Sequence, residues 1–327
     1  MSRKGCLGCS LPVLVIIIVI VLAVGVISLL SGALGKALVG DVGLPELFTV
    51  DPPHVQLPAE VIVHDAIGGF DITNTLIASW ITIVLLAGFA WAVTHRIRVI
   101  PSRLQGLLES ALEWLLNLCN DVAGEKYGRR IFPVITTIFL FVIMNSWLSL
   151  IPGFGSVTYA TVEHGEAHVV PLLRGANTDI NFTLALAIIS FVFVEYLGIS
   201  QGGGLRYFAK FINVRRFGQA LGQLVRGKVK SGLGGLFMGG VDMFVGMLEG
   251  ISEMIRVVSF TFRLFGNMLG GEILILMMLF LMPWLLAVPF YGLELLVGAI
   301  QALIFGGLTL VFATMAVMTH EEHEETH

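Results

Sequence analysis

The sequence predicts an all-α integral membrane protein with about six transmembrane helices. Of its 327 residues, 56% are hydrophobic and only 13% are charged, which is about half the charged share of a soluble domain. The apolar residues gather in segments long enough to cross a bilayer, for which a helix needs about 20 residues. The segments between them are acidic or basic in turn, so the positive-inside rule gives each connection a side.

The first 70 residues are predicted to hold one extra helix and one loop. Residues 1–31 contain an almost wholly apolar run preceded by Arg3 and Lys4. A cleaved signal peptide is the alternative, but the apolar core is long for one, which favours a cytoplasmic tip followed by an uncleaved membrane anchor. Residues 32–70 contain five acidic residues against a single lysine and are predicted to be an exported loop, with short interfacial pieces such as 44–48.

The main membrane domain is predicted over residues 71–327. Its five spans are predicted near 71–94, 131–151, 179–199, 239–282 and 289–318. The last two would be helices about 66 Å and 45 Å long, against a hydrocarbon core about 30 Å thick. Because both exceed that thickness, the sequence predicts a long, tilted C-terminal helical hairpin.

Segment 103–123 is predicted to be an amphipathic helix on the cytoplasmic interface. Its apolar residues recur at helical spacing, and Arg103, Glu109 and Glu113 stand among them. This mixture favours an interfacial helix over a poorly hydrophobic span, which is the alternative.

Charge sets the predicted orientation of the chain. Segment 201–238 contains seven basic residues and no acidic residue, so it is predicted to be cytoplasmic. The N- and C-termini then also lie in the cytoplasm, and the tail 320–327 is predicted to be frayed. The basic segment is more typical of contact with anionic membrane lipid than of nucleic-acid binding, so no nucleic-acid partner is predicted.

Three clusters could suggest a metal, but none carries a supporting pattern. They are the pair Cys6 and Cys9, the loop set Glu163, His164, Glu166 and His168, and the histidines of the tail. A single C-x-x-C without a second pair is a weak zinc signal, and nothing indicates a second shell for the histidines. The sequence predicts no metal and no cofactor.

Arg263 is the most informative single residue. No ionisable residue stands between Arg256 and Arg263, or between Arg263 and Glu272. An arginine at the bilayer centre costs about 2.5–3.5 kcal/mol on insertion scales, and a guanidinium cannot lower that cost by losing its proton. We therefore expect a functional role for Arg263, the alternative being a buried structural pair with a carboxylate.

The residues around Arg263 indicate a smooth helix face. Ser259 and Asn267 are each four residues from Arg263, so the three share one face. Gly266, Gly270 and Gly271 lie beside them, and small residues let another helix approach closely.

The run from Ser259 to Met268, SFTFRLFGNM, followed by Gly271 and Glu272, resembles the signature of subunit a of the F-type ATP synthase. Four further stretches resemble the same family in order: 124–141, 145–154, 176–187 and 301–316. The resemblance spans about residues 70–320, which is nearly the whole chain after the first hydrophobic segment.

The resemblance implies a stator subunit that forms two offset proton half-channels against a rotor c-ring. Arg263 would attract the deprotonated rotor carboxylate and block direct proton flow between the half-channels. The implied outer half-channel residues are Glu272, Glu294, Asn267, Gln301 and Asp179. The implied inner half-channel residues are Glu249, Asp242 and Glu195, and the rotor-facing support residues are Ser259, Gly266 and Gly270. The implied partners are the c-ring, the peripheral stalk subunit b and the remainder of the F0F1 complex.

Helix arithmetic places the acids relative to Arg263. If Gln301 is level with Arg263, Glu272 lies about 13 Å and Glu294 about 10 Å further towards the outside. The two carboxylates would then share one depth, where close acids can hold and pass a proton. In the family these two positions often carry one glutamate and one histidine, whereas here both are glutamate.

Two rival functions remain at this stage. A self-contained proton-coupled transporter would want repeats or broken helices near the membrane centre, and a non-transporting scaffold would leave Arg263 and the matched glutamates without a role. No G-x-x-x-x-G-K-[ST] motif is present, so no nucleotide site and no catalytic site are predicted in this chain. A bacterial cell membrane is preferred over a mitochondrial one.

Overall fold

The computed structural model describes residues 11–40, 52, 58–95, 103–151, 153–163, 166–202, 229–284 and 286–324. Within these residues, six helices are long and apolar enough to cross a membrane, which confirms the predicted all-α membrane class. The helices are α1 (Leu11–Ser31), α2 (Ala33–Val39), α3 (Asn74–Thr94), α4 (Arg103–Ser149), α5 (Ile180–Gly202), α6 (Val229–Leu281) and α7 (Ala287–Glu324). The predicted interfacial piece 44–48, the pair Cys6 and Cys9, and most of segment 201–238 lie outside the described residues.

α4 consists of two helical arms that meet at Gly124. This residue has φ 74° and ψ 159°, a conformation that glycine adopts without steric cost. The first arm, 103–123, is the segment predicted to be interfacial. Its Leu115 is buried, whereas Leu107 and Trp114 are 67% and 50% exposed. The arm therefore has one apolar face on the bundle and another facing away from it, and its interfacial position stays a prediction.

Several helices begin or end away from the predicted bounds. α6 begins at Val229 rather than at 239, because no proline interrupts the chain between 229 and 281 and a helix can continue beyond the hydrocarbon core. α3 begins at Asn74 rather than at 71, because the Thr73 hydroxyl accepts a hydrogen bond from the Leu76 amide at 3.3 Å and caps the helix. α7 continues to Glu324, into the tail that was predicted to be frayed.

Two β-hairpins lie outside the long helices, one at the end of the predicted exported loop 32–70 and the start of the next predicted span, and one between the predicted spans 131–151 and 179–199. Strands β1 (Val61–Ile67) and β2 (Phe70–Thr73) pair antiparallel, and β3 (Thr158–Glu163) pairs with β4 (Glu166–Pro171). The first hairpin turns at Gly68 and Gly69, whose φ angles are 61° and 88°. Two successive positive φ values are what a tight hairpin turn requires, and glycine supplies both.

The long helices pack around two apolar clusters. α4 lies along α7, α5 packs against α6 and α7, and α3 packs against α4. One cluster consists of Cys119, Ala123, Ile131, Ile135, Val194, Leu197, Leu310, Ala313 and Val317. The other consists of Ile138, Val142, Leu186, Ala187, Phe260, Leu264, Met268, Ala302 and Phe305. The second cluster fixes α6 against α7, and so positions the residues around Arg263.

α1 meets the bundle at its C-terminal end. The Ser28 hydroxyl donates to the Pro283 carbonyl, and Gly32 lies so close to the Leu281 backbone that a Cβ would overlap it. Most side chains of α1 are exposed. The helix is thus attached at the turn between α6 and α7, which we name the connection end of the bundle.

Candidate functional site

A cavity of about 420 Å³ lies at the connection end. It is bounded by α6, α7, the end of α4 and the segment that precedes α5. The ionisable and polar side chains in its lining include Glu60, Ser149, Arg174, Glu272, Tyr291 and Glu294. The cavity therefore brings together two of the predicted outer residues, Glu272 and Glu294, with an arginine that the sequence reasoning did not assign.

The register between α6 and α7 is fixed by three contacts. The rings of Phe260 and Phe305 are 5.0 Å apart, and the Asn267 amide donates to Gln301 Oε1 at 2.7 Å. Further along, Glu294 lies against Gly271. Gln301 is thus paired with Asn267. This contact lies one helical turn further along α6 than Arg263, the residue with which the sequence analysis assumed Gln301 to be level.

Gln301 is a buried polar residue with unused hydrogen-bonding capacity. Its side chain is 1% exposed, and its Nε2 has no hydrogen-bond partner in the described part of the chain. A buried donor without a partner is costly and normally meets water or a ligand. This amide therefore marks a polar point between α6 and α7, next to the turn that carries Arg263.

Glu294 sits between the two helices of the hairpin. It is 6% exposed, and a Cβ added at Gly271 would overlap its carboxylate. No hydrogen bond or ion pair joins this carboxylate to another of the residues that the structure describes. Glycine at 271 is what makes room for Glu294 beside α6.

Glu272 is held by an ion pair with Arg174. Arg174 Nε donates to both carboxylate oxygens, at 3.2 Å and 3.1 Å, and Nη2 donates to Oε2 at 3.1 Å. Arg174 is 7% exposed, and the side chain of Glu272 is 32% exposed. The remaining arm of the guanidinium, Nη1, donates to the Pro58 carbonyl at 3.2 Å. The positive charge of Arg174 is therefore compensated by a carboxylate on one side and a backbone carbonyl on the other.

The segment that carries Arg174 is fixed to the bundle by hydrogen bonds to α4. The Ala176 amide donates to Asn145 Oδ1 at 3.0 Å, and Asn177 Nδ2 donates to the Ser146 hydroxyl at 3.0 Å. A Cβ added at Gly175 would lie only 2.9 Å from Ser149 Cβ. A larger residue there would push the segment away from α4, so these contacts set the position of Arg174.

Asp179 has a structural setting distinct from the cavity. One carboxylate oxygen accepts from the Thr75 hydroxyl at 2.9 Å, and the other accepts from the Asn181 amide at 2.9 Å. The residue is 8% exposed and does not line the cavity. In this position it satisfies a free amide at the start of α5, as helix-capping carboxylates do, and it ties α5 to α3.

Arg263 lies on an open face of α6. Its Nη2 donates to the Ser259 hydroxyl at 3.3 Å, and its Cζ is 5.8 Å from the centre of the Phe260 ring. It forms no ion pair with any carboxylate among the described residues. Ser259, Gly266 and Gly270 are exposed beside it, and a Cβ added at either glycine would meet nothing within 4 Å.

The predicted inner residues lie on the opposite side of Arg263 from the cavity. Glu249 and Asp242 are half-buried on α6, about 21 Å and 32 Å along the axis from Arg263 at 1.5 Å per residue. Glu195 is half-buried on α5, and its Oε1 is a buried oxygen with no hydrogen-bond partner in the described ranges. None of these three acids lines the cavity at the connection end.

The sequence reasoning missed Arg174 and the polar residues that position its segment. Arg174 is the one basic residue among the acids of segment 153–178, and this isolation was an available signal. Asn145 and Ser146 belong to the stretch 145–154, for which the only sequence signal is its resemblance to the family. Their partners lie 31 residues away, so no local pattern announces the contact.

Comparison with known proteins identifies the family. The family model described as ATP synthase A chain matches residues 76–314. A Helicobacter pylori protein named ATP synthase subunit a is 31% identical over 260 residues, covering 80% of this chain and 93% of the relative. Proteins with the same name from a Nitratiruptor species and from Aliarcobacter butzleri are each 29% identical, over 251 and 263 residues. These cover 77% and 79% of this chain, and 91% and 96% of the relatives.

The match begins just after the start of α3 and ends within α7, so it contains the open face of α6, the hairpin register and the cavity lining apart from Glu60. α1 and the first β-hairpin precede it. The chain belongs to the ATP synthase A chain family, as a multi-pass membrane protein.

Proposed function

We propose that this chain is the stator subunit a of a rotary F-type ATP synthase, and that it forms two offset proton half-channels against the rotor c-ring. The observation that carries the proposal is Arg263, a permanent cation without a carboxylate partner among the described residues. It lies on a face of α6 lined by serine and glycine. A charge of this kind at membrane depth needs a partner, and a rotor carboxylate from another subunit supplies one.

The outer half-channel begins at the cavity at the connection end. Its volume of about 420 Å³ is ample for several waters, each of which takes about 30 Å³ in the liquid. Glu272 and Glu294 line it, and the pair Asn267–Gln301 lies between these acids and Arg263 along the hairpin. Protons enter by this route and reach the rotor carboxylate. Asp179 supports the entrance by fixing α5 to α3.

The inner half-channel runs along the other end of α6. Glu249, Asp242 and Glu195 offer carboxylates on that side, and Glu195 has a buried oxygen without a hydrogen-bond partner among the described residues, which suits a contact with water. A proton released from the rotor leaves past these residues. Each proton that crosses contributes about 2.3 kcal/mol per 100 mV of membrane potential.

Arg263 separates the two half-channels. It favours the deprotonated form of a rotor carboxylate that comes opposite to it, so the proton is released there. It also interrupts any continuous proton path, because a guanidinium stays protonated and relays nothing. The exposed face at Ser259, Gly266 and Gly270 lets the rotor helices pass close to α6.

The remaining assignments follow from this role. The chain works with the c-ring, the peripheral stalk subunit b, the rest of the F0F1 complex and membrane lipid, and it supplies no nucleotide-hydrolysing site itself. It is a multi-pass protein of a bacterial cell membrane with both termini in the cytoplasm, which makes the connection end the outer end. The relatives reported above come from bacteria, which supports the bacterial location.

The test is ATP-driven proton pumping in inverted membrane vesicles that carry Arg263→Ala. We expect pumping to fall at least about tenfold, which corresponds to about 1.4 kcal/mol, while the complex stays assembled by immunoblot. Passive proton leak should rise because the seal is gone. Normal pumping by an assembled Arg263→Ala complex would overturn the proposal.

The matched control is Arg256→Ala, on the same helix two turns away. Arg256 has its Cζ 3.8 Å from the centre of the Phe312 ring, an interaction of about 0.5–2 kcal/mol within the chain. We expect this variant to lose stability without a rise in passive leak. A leak equal to that of Arg263→Ala would mean that loss of any arginine on α6 opens the bundle.

A further inference from the structure

The two glutamates of the outer cavity have unlike surroundings. Both oxygens of Glu272 accept hydrogen bonds from Arg174, whereas Glu294 has no ion pair or hydrogen bond to the described residues. Glu294 is also the more buried, at 6% exposure against 32% for the side chain of Glu272. The sequence alone does not distinguish the two carboxylates, but their different surroundings favour different roles in proton transfer.

Arg174 is held in one position by its own hydrogen bonds and by those of the adjoining segment. A buried guanidinium that keeps its charge must be compensated by acceptors. Glu272 and the Pro58 carbonyl provide them, and the hydrogen bonds to Asn145 and Ser146 hold the adjoining segment. The fork of the guanidinium matches a carboxylate in a fixed orientation. Glu272 is consequently tied to the extramembrane segment before α5 and not free to rotate between proton donors and acceptors.

We propose that Arg174 is a positioning residue that keeps Glu272 as a fixed ionic partner, so that Glu294 alone carries protons from the outer cavity towards the rotor. This inference rests on the proposed function and assigns different roles to the two glutamates of its outer half-channel. A proton from cavity water binds a carboxylate oxygen of Glu294 and later leaves that oxygen for the rotor carboxylate. Glu294 then returns to its charged form, and the Arg174–Glu272 pair is unchanged throughout.

The charged groups around Glu294 explain why the ion pair matters. Glu272 is the next residue after Gly271, which Glu294 contacts, and Arg174 and Glu60 line the same cavity. With Glu272 present, Arg174 is occupied. Without it, the free guanidinium acts on the other carboxylates that line the cavity, Glu60 and Glu294, and favours the charged form of the proton carrier Glu294. Removing Arg174 instead leaves Glu272 as a second unpaired acid that competes for the proton.

A double-mutant cycle tests this division in the assembled complex, with ATP-driven pumping in inverted vesicles as the readout. The variants are Arg174→Gln, Glu272→Gln and the two combined. We expect each single variant to pump about tenfold more slowly, because each leaves one unpaired charge, with coupling in the range seen for contacting residues. The combined variant lacks both charges, and its two amides can bond each other, so it should pump at least about fivefold faster than Glu272→Gln.

Pumping is expressed per assembled complex, which separates positioning from a purely structural role. If the ion pair only stabilised the fold, the single variants would lower the amount of assembled complex but leave the pumping of each assembled complex at the wild-type rate. If Glu272 itself carried protons, the combined variant would pump no faster than Glu272→Gln, because glutamine cannot carry a proton. Either result would overturn the inference. Assembly is checked in every variant by immunoblot and by membrane-bound ATPase activity.

Two further arms keep this inference distinct from the proposed function. Glu294→Gln should abolish pumping in an assembled complex, alone and with the Arg174→Gln/Glu272→Gln pair, and normal pumping there would overturn the inference. Loss of pumping in Arg263→Ala, together with no recovery in the combined variant, would overturn the inference and leave the proposed function standing. Normal pumping in Arg263→Ala would overturn the proposed function itself.

Discussion

Arg174 and Arg263 are two arginines of the same membrane subunit in opposite circumstances. Arg174 is 7% exposed and gives three hydrogen bonds to Glu272 and one to a carbonyl. Arg263 has one hydrogen bond, to Ser259 at 3.3 Å, on an exposed face. Arg174 has its charge compensated within the chain, whereas Arg263 has no carboxylate partner among the residues that the structure describes.

We interpret the difference as one between a charge that holds neighbouring side chains in place and a charge that binds a partner from another subunit. A paired guanidinium fixes its neighbours because moving it would leave two charges unmatched in a poorly solvated place. An unpaired guanidinium on an open helix face remains available to a carboxylate that arrives and departs. Under the proposed function, the connection end of the hairpin is the proton entrance, and the middle of α6 is the surface that meets the rotor.

Of the three substitutions that compare the two regions, the largest effect is expected from crowding the cavity at Glu294. Gly271→Ala places a methyl group where the Glu294 carboxylate lies, so the carboxylate must move. We expect ATP-driven pumping to fall about tenfold, which corresponds to about 1.4 kcal/mol, because the proposed proton carrier is displaced. Alanine is the better helix former, so the loss would not come from helix propensity.

The control for that variant is Gly292→Ala, on α7, where an added Cβ meets nothing within 4 Å. It should pump like the wild type. Equal losses in the two variants would show that the hairpin tolerates no added methyl group, and would remove the argument for a special fit at Glu294.

A smaller effect is expected between the two regions, at the Asn267–Gln301 pair. Asn267→Ala removes the donor to Gln301 Oε1 and leaves a nearly fully buried amide unpaired. We expect the chain to lose about 1–3 kcal/mol of stability, measured as a lower temperature of aggregation in detergent. Pumping should fall in proportion to the remaining assembled complex, since an amide that lines the route carries no proton itself. A loss of pumping with unchanged stability would mean that Asn267 takes part directly in proton transfer.

The smallest effect is expected away from both regions. Thr75→Val removes the hydrogen bond to Asp179 but keeps the shape of the side chain. Because Asp179 retains its bond from the Asn181 amide, we expect a loss of about 1 kcal/mol in stability and little change in pumping. A pumping defect as large as that of Gly271→Ala would move Asp179 from a supporting position into the channel.

The open face was predictable from sequence to a greater extent than the entrance. The helical spacing of Ser259, Arg263 and Asn267 puts them on one face whatever the rest of the fold does, and the glycines beside them follow from the same periodicity. The class of six apolar helices likewise follows from composition and segment length, and the structure confirms it.

The entrance depends on contacts between distant parts of the chain. Arg174 and Glu272 are 98 residues apart, and no helical period connects them. The register of the α6–α7 hairpin was assumed from the depth of Gln301, and its true partner is Asn267. The first β-hairpin, in contrast, carries a local signal: Gly68 and Gly69 stand between VIVHDAI, which is rich in valine and isoleucine, and FDIT, which adds a phenylalanine, an isoleucine and a threonine. Two glycines between such runs are typical of a tight turn between strands.

The central claim is that the open face of α6 is completed by a moving ring, and cysteine cross-linking to the c-ring measures it most directly. Cys6, Cys9 and Cys119 are first replaced by serine. With a cysteine introduced into the facing helix of the c subunit and copper phenanthroline as the oxidant, Gly266→Cys and Gly270→Cys should each form a disulfide with the c subunit and stop ATP hydrolysis by the intact complex. Reduction of the disulfide should restore hydrolysis. Leu296→Cys, 58% exposed on α7, is the control, and it should give neither effect. Cross-links from Leu296→Cys but none from the two glycine positions would contradict the account.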